Sequence, residues 1–332
     1  IYRLGGAANQ GTVIGDGDAA ASTPATVANV TLVVPEGTLI LGDTTEALAI
    51  SRGSQIQVNG TAANPVVMGS LTWFNDWVSG GDGSCGRGEW GGFVVTGFGV
   101  QNTGAAEVQA EGFLSPFFWG GANNADDSGD ISYLVVRCAG YDIDGNGNEL
   151  NGITLFGIGR NTSIDHIQVH NNDDDGVEWF GGEVCVTHIV NTGIADDSLD
   201  TDLGFVGGAQ FAITRQAADE ADRGFEMDSG LGLSPKSAPV FVNTTTMNSA
   251  AVVGTTQGLY IVRGMGGYFL NGIQQNAEGA GIDIENGTLA ITGGVLTDPN
   301  DGELQIHNFI INNTLNLEGS SGSTTEERFR LR

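Results

Sequence analysis

Asn151-Gly152-Ile153-Thr154-Leu155-Phe156-Gly157, Asp175-Gly176-Val177-Glu178-Trp179-Phe180-Gly181, Asp197-Ser198-Leu199-Asp200-Thr201-Asp202 and Arg223-Gly224-Phe225-Glu226-Met227-Asp228 are four versions of one short phrase. Aligned on Ile153, Val177, Leu199 and Phe225, they recur at intervals of 24, 22 and 26 residues. A second phrase runs beside the first. Ile131-Ser132-Tyr133-Leu134-Val135-Val136 matches Ile164-Asp165-His166-Ile167-Gln168-Val169, then Val186-Thr187-His188-Ile189-Val190 and Ala209-Gln210-Phe211-Ala212-Ile213. Each repeat holds two or three β-rich runs separated by Gly, Asn and Asp, and helical periodicity is almost absent. A repeat of this length is about one coil of a right-handed parallel β-helix, an all-β solenoid. Strands would pair with their equivalents one coil on, so that Ile153, Val177, Leu199 and Phe225 form an inner column. A single coil cannot bury its own apolar face, and stability would come from stacking.

Composition agrees with this reading. The 332 residues include 54 Gly, and 12 basic residues face 40 acidic ones, for a formal charge of −28. A hydrophobic content of 40% is enough to fill a core, so the charge does not imply disorder. It makes nucleic acid and anionic membranes poor partners, and it favours cations, Ca²⁺ above all. A solvated surface suited to salty water is the other reading of most of the charge. No apolar run approaches the roughly 18 residues of a membrane helix. Cys85, Cys138 and Cys185 show no zinc spacing. They fit either a buried free trio or one disulfide with a thiol left over, the latter in an exported protein.

The repeats suggest an N-terminal cap or extension over residues 1–30 and a β-helix over 31–315. Residues 71–130 fit the coil pattern poorly, and their tryptophans, Gly-rich spacers and phenylalanines read as loops thrown out from the solenoid. Residues 316–332 form a Gly/Ser linker and a basic alternating tail. The motifs Pro35-Glu36-Gly37-Thr38, Ser51-Arg52-Gly53-Ser54, Gly88-Glu89-Trp90-Gly91-Gly92, Glu149-Leu150-Asn151-Gly152-Ile153-Thr154 and His170-Asn171-Asn172-Asp173-Asp174-Asp175-Gly176 give the chain a further likeness. It resembles secreted right-handed β-helix proteins of environmental and marine bacteria, well over residues 30–230 and weakly after about 235. The resemblance implies the fold and a secreted, extracellular or cell-surface location, and little about activity.

Carboxylates are the strongest chemical signal. Glu178, Asp200 and Glu226 fall in one outward column. Asp174 and Asp196, with Asp222, fall in a second, and Asp175 and Asp197 in a third. Coils are stacked about 4.8 Å apart, and like charges at that spacing repel unless a cation sits between them. Bound Ca²⁺ would relieve the repulsion, and Arg223 reaching Asp197 from the next coil is the alternative. Asp142, Asp144 and Asn146 open like a calcium loop, but the closing Glu is replaced by Ile153. The segment serves equally as a metal-free turn. His166 and His188 align with Tyr133 and Phe211 and read as a packed ladder rather than a metal site. No nucleophile motif or phosphate loop is present, and no catalytic residue is assigned.

Two functions remain open. One is a structural or adhesive surface protein that assembles with copies of itself end to end into a filament, through the tail residues Arg328, Phe329, Arg330, Leu331 and Arg332. The other is a polysaccharide-active enzyme, lyase or hydrolase, or a glycan-binding β-helix using the acidic face and the aromatic loops.

Overall fold

The computed structural model describes residues 1–5, 11–15, 30–113, 116–142, 150–230, 233–249, 256–284, 304–313 and 315–319. Among them, two parallel sheets of thirteen and ten strands alternate along the chain. In the middle of the molecule, the long strands Gly129–Arg137, Ser163–Asn172, Cys185–Ile194 and Gly208–Gln216 lie side by side in the larger sheet. The short strands Ile153–Phe156, Val177–Phe180, Leu199–Asp202 and Phe225–Met227 do the same in the smaller one. This is the parallel β-helix expected from the repeats.

The register is the one read from the sequence. Ile153 pairs with Val177, Val177 with Leu199 and Leu199 with Phe225, and all four are buried. The column continues upstream to Phe93 and downstream to Leu259 and Ile282. On the larger sheet Ile131, Ile164, Val186 and Ala209 pair in turn. Truncating one member of such a column removes one methylene from a filled tube. Ile153→Val is therefore expected to cost about 0.5–1.5 kcal/mol, measured as a lowered midpoint in denaturant. Val190→Thr, on the exposed outer face, is expected to cost less.

The larger sheet is bent at a corner. Tyr133, His166, His188, Phe211, Asn243, Asn271 and Asn308 all adopt φ between 50° and 63°. From the strand Gly129–Arg137 to the strand Gly267–Gln275 the pairing skips this position on each rung, as in the passage from Asp165–Thr187 to Ile167–Ile189. The corner divides the larger sheet into two faces, and with the smaller sheet these make three sides of a prism. The second corner, between the larger and smaller sheets, is tied by buried amides. Asn172 Nδ2 donates to the Asp175 carbonyl at 2.7 Å, and Asn191 Nδ2 to the Ser198 carbonyl at 2.6 Å. At Gly176 a Cβ would stand 2.4 Å from Asn191 Nδ2 and 2.6 Å from the Ser198 carbonyl oxygen, so this close corner takes glycine. The aspartate pairs sit on this corner.

Three details add to the sequence reading. Tyr2–Arg3 and Thr12–Ile14 already pair in the two sheets, so strand pairing extends N-terminal to residue 31. The segment 71–130 contains one helix, Leu71–Val78, and the strand Gly92–Thr96, which takes a full place in the smaller sheet. The insertion is therefore two loops, one on either side of that strand. Cys85 and Cys138 form a disulfide and Cys185 is free and exposed. Most of the loop aromatics cover the solenoid: Trp73, Trp90, Phe117 and Trp119 are buried, while Trp77 is 55% exposed.

Candidate metal centre

On the outer side of the smaller sheet, Thr154, Glu178, Asp200, Glu226 and Tyr260 are paired in succession. Parallel in-register pairing directs equivalent side chains to the same face, so the carboxylates of three consecutive coils share one column. The adjoining corner adds Asp174 and Asp175 from one coil, Asp196 and Asp197 from the next and Asp222 from a third. Together they line a cleft of about 600 Å³ in which, apart from Ala195 and Ala221, every lining residue is Asp or Glu. Three overlapping trios have carboxylate oxygens within 4.8 Å of one another: Asp174, Asp175 and Asp196; Asp175, Glu178 and Asp200; and Asp196, Asp197 and Asp222.

These acids are not a solvated fringe. Glu178 is 7% exposed and Asp197 3%. Burial, reinforced by neighbouring carboxylates, holds Asp175, Glu178, Asp197 and Asp200 well above the ordinary carboxylate range. Burial likewise raises Asp196 to about 6 and Glu111, across the cleft, to about 7. Backbone and amide groups satisfy part of the cluster. Asp175 Oδ1 accepts from the Asp197 amide at 2.9 Å, and Asp197 Oδ1 from the Arg223 amide at 2.6 Å. Asn151 Nδ2 donates to Glu178 Oε2 at 2.5 Å.

Arg223 provides positive charge at one end of the cluster. Its Nη1 lies 2.6 Å from Glu226, 2.8 Å from Asp222 and 3.6 Å from Asp197, and its guanidinium sits 4.5 Å from the Tyr260 ring centre. Burial alone would lower the Arg223 pKa, but the carboxylates of Asp197, Glu226 and Asp222 more than reverse this. Arg223 therefore reaches Asp197 as one of the two sequence readings expected: the arginine neutralises the Asp222–Glu226 end, and the Glu178–Asp200 end is left without it. There, Asp200 Oδ1 and the fully buried Thr154 Oγ1 have no hydrogen-bond partner. An all-oxygen donor set with orphaned oxygens fits a hard divalent cation such as Ca²⁺.

The other sequence candidates separate from this cleft. Asp142 is not among its lining residues, and Asp144 and Asn146 lie outside the described residues, as do Arg328, Phe329, Arg330, Leu331 and Arg332. His166 and His188 do stack, with ring centres 4.2 Å apart, between Tyr133 and Phe211. The stack lies on the outer face, with Asp165 oxygens 2.7 Å from both Nδ1 atoms. Burial would raise the Asp165 pKa, but hydrogen bonds from Thr187, His188 and His166 bring it down to about 2. The two imidazole planes are only 18° apart. Asp165 and the two imidazoles also lie within 4.8 Å of one another, so the stack is a further group that could hold a metal ion. Glu111 and Thr154 were not singled out from the sequence. Glu111 arrives on a non-repeating loop and carries no periodic signal, whereas Thr154 was visible as the residue aligned with Glu178.

The fold agrees with a family comparison. A family model described as a pectate-lyase like beta helix domain matches residues 21–329. The chain belongs to this family. Searches of curated proteins and of solved structures gave no match. The family assignment supports the parallel β-helix and is compatible with action on, or binding to, polysaccharide. Among the described residues, no helix is long and apolar enough to cross a membrane.

Proposed function

We propose that this β-helix protein works outside the cell, holds a divalent cation in its acidic cleft, and uses the cleft to engage polysaccharide. The observation that carries the reading is the convergence of Glu178, Asp200 and Asp175 from neighbouring coils, Glu178 and Asp175 buried and Asp200 half-buried, without a paired arginine at that end. Calcium is the cation the site suits best, because its coordination is flexible and accepts carboxylate and hydroxyl oxygens together. Asp200 and Glu178 would be the principal ligands, with Asp175 completing the trio. The Cys85–Cys138 disulfide supports an oxidising, extracytoplasmic setting. The family relationship supports the glycan.

Isothermal titration of the chelator-treated protein with calcium tests the cation. Saturable binding is expected, weakened at least tenfold in Asp200→Asn, with circular dichroism unchanged. Heat traces that show no saturable uptake would remove the cation from the account. A panel of neutral and acidic polysaccharides tests the partner. Retention on an immobilised glycan without release of reducing ends fits a binding module. Hydrolysis is favoured by one specific observation, the clustering in one cleft of several carboxyls, Asp175, Glu178 and Asp200 among them, whose pKa burial raises, since glycoside cleavage uses a carboxylic acid with a raised pKa beside a second carboxyl group. Product release lost in Asp200→Asn would establish that second reading.

A further inference from the structure

The corner within the larger sheet carries metal-ligating side chains that the acidic cleft does not use. Tyr133, His166, His188 and Phe211 occupy this corner on four successive rungs and stack ring on ring, with centres 4.3, 4.2 and 5.0 Å apart. Tyrosine and phenylalanine at the ends of the stack show that packing alone does not require imidazole. The chain has four histidines, and two of them stand next to each other here. They do so beside an acid. The outward column one residue before the corner runs Ser132, Asp165, Thr187, Gln210, Val242 and Leu270, and Asp165 is the carboxylate among them.

Asp165 bridges the two imidazoles. Its Oδ2 is 2.7 Å from His166 Nδ1, and its Oδ1 is 2.7 Å from His188 Nδ1. A ligand atom of each of the three residues lies within 4.8 Å of the other two. Thr187 Oγ1 donates to Asp165 Oδ1 at 2.5 Å and steadies the carboxylate from the same rung as His188. Either ring nitrogen of a neutral imidazole can carry the proton. With the proton on Nε2, the Nδ1 lone pair beside Asp165 is open to a cation. The side chains of Asp165, His166 and His188 are 39%, 36% and 46% exposed, so an ion reaches them from solvent and the rings have room to turn toward it.

We infer that Asp165, His166 and His188 form a binding site for a transition-metal ion of the zinc and copper class, apart from the acidic cleft. Imidazole nitrogens with a carboxylate suit zinc, copper(II) or nickel(II), whereas calcium takes oxygen donors. Asp165 and His166 belong to one coil and His188 to the next, so the ion ties neighbouring coils across the corner. Three protein donors leave the remaining coordination positions to water. The site stands whether or not the cleft holds calcium.

The test uses the full untagged chain carrying Cys185→Ser, so that the exposed thiol takes no metal, with millimolar calcium present to fill the cleft. Copper(II) is the spectroscopic probe and zinc the titrant. Electron paramagnetic resonance of the copper-loaded protein is expected to show a single copper species coupled to two imidazole nitrogens. The cleft, lined by Asp and Glu apart from two alanines, offers no such nitrogen. His188→Phe, which keeps a ring in the stack, is expected to leave one nitrogen coupling and to weaken zinc binding by about tenfold or more in isothermal titration. Asp165→Asn is expected to weaken zinc binding by about tenfold or more while both couplings persist. Unchanged circular dichroism in both variants assigns the loss to the ligands. A copper spectrum of the Cys185→Ser chain without nitrogen coupling overturns the site, and that measurement depends on the folding of no further variant. Zinc affinity within about twofold of that chain in His166→Phe/His188→Phe overturns it as well, leaving the rings as packing alone.

Discussion

Held free of divalent cations, the protein is expected to lose stability as the pH rises from about 5 to about 8. Asp196 is moved from its ordinary 3.8 to about 6, Asp202 likewise to about 6, and Glu111 from 4.5 to about 7, in each case chiefly by burial. A carboxyl with a raised pKa is protonated in the folded protein at pH values where the unfolded chain has already ionised. Between about pH 4 and pH 7 the native state binds more protons, so the free energy of unfolding falls as pH increases. Each such group is worth on the order of 2 kcal/mol after allowance for solvent screening. Several acting together would make the effect large. His170 works in the opposite direction, since burial and the Arg137 charge lower its pKa, but it is a single group. Thermal unfolding in chelator at about pH 5 and pH 8 measures the slope. Millimolar calcium should flatten it, because a bound cation replaces the missing protons and adds about 2.7 kcal/mol at a hundred times its dissociation constant. Equal or rising midpoints from pH 5 to 8 in chelator would show that the acids ionise freely.

Replacing Arg223 is expected to be the most damaging change at the acidic corner. Arg223 faces three carboxylates, and its side chain is 22% exposed. Arg223→Met keeps much of the stem and removes the charge, leaving Asp197, Asp222 and Glu226 uncompensated. Removing one partner of a buried pair costs about 3–5 kcal/mol, and urea titration in chelator should show a loss of that size. Calcium should restore part of it. The same variant should bind calcium more tightly than wild type, since the ion no longer competes with a fixed guanidinium. A loss below about 1 kcal/mol would mean that the pair is in effect solvated.

The core and the carboxylate columns were legible because a coil repeats. The spacing from Ile153 to Val177, Leu199 and Phe225 is the same statement as their pairing, and it carries Glu178, Asp200 and Glu226 along one residue later. What does not repeat could not be read this way. Glu111 reaches the cleft on an insertion, and its distance along the chain from Glu178 has no relation to the coil. The choice of Cys85 and Cys138 over Cys185 is likewise made by the insertion's path across the solenoid. Burial was also hidden. The acidic columns face outward as their alternation requires, yet part of them is buried, Glu178, Asp175 and Asp197 above all, which turns a surface ladder into a cleft. The corner at Tyr133, His166, His188 and Phe211 was visible only as an aromatic alignment, since nothing in the side chains announces left-handed backbone. That conformation costs about 1–2 kcal/mol per residue, and stacked rings offset it by about 0.5–1.5 kcal/mol per pair.

Because the rungs from Tyr133 to Asn271 turn at an equivalent corner, that part of the chain is divisible. The stretch from one corner histidine to the next, His166 to His188, is a complete unit that begins and ends in the same backbone conformation. Excising it would splice Asp165 to His188 with the rungs above and below still able to meet, and duplicating it would lengthen the rod by one step. The solenoid thus tolerates growth by copying, whereas the carboxylate cleft does not, since each added or deleted unit changes how many acids line it.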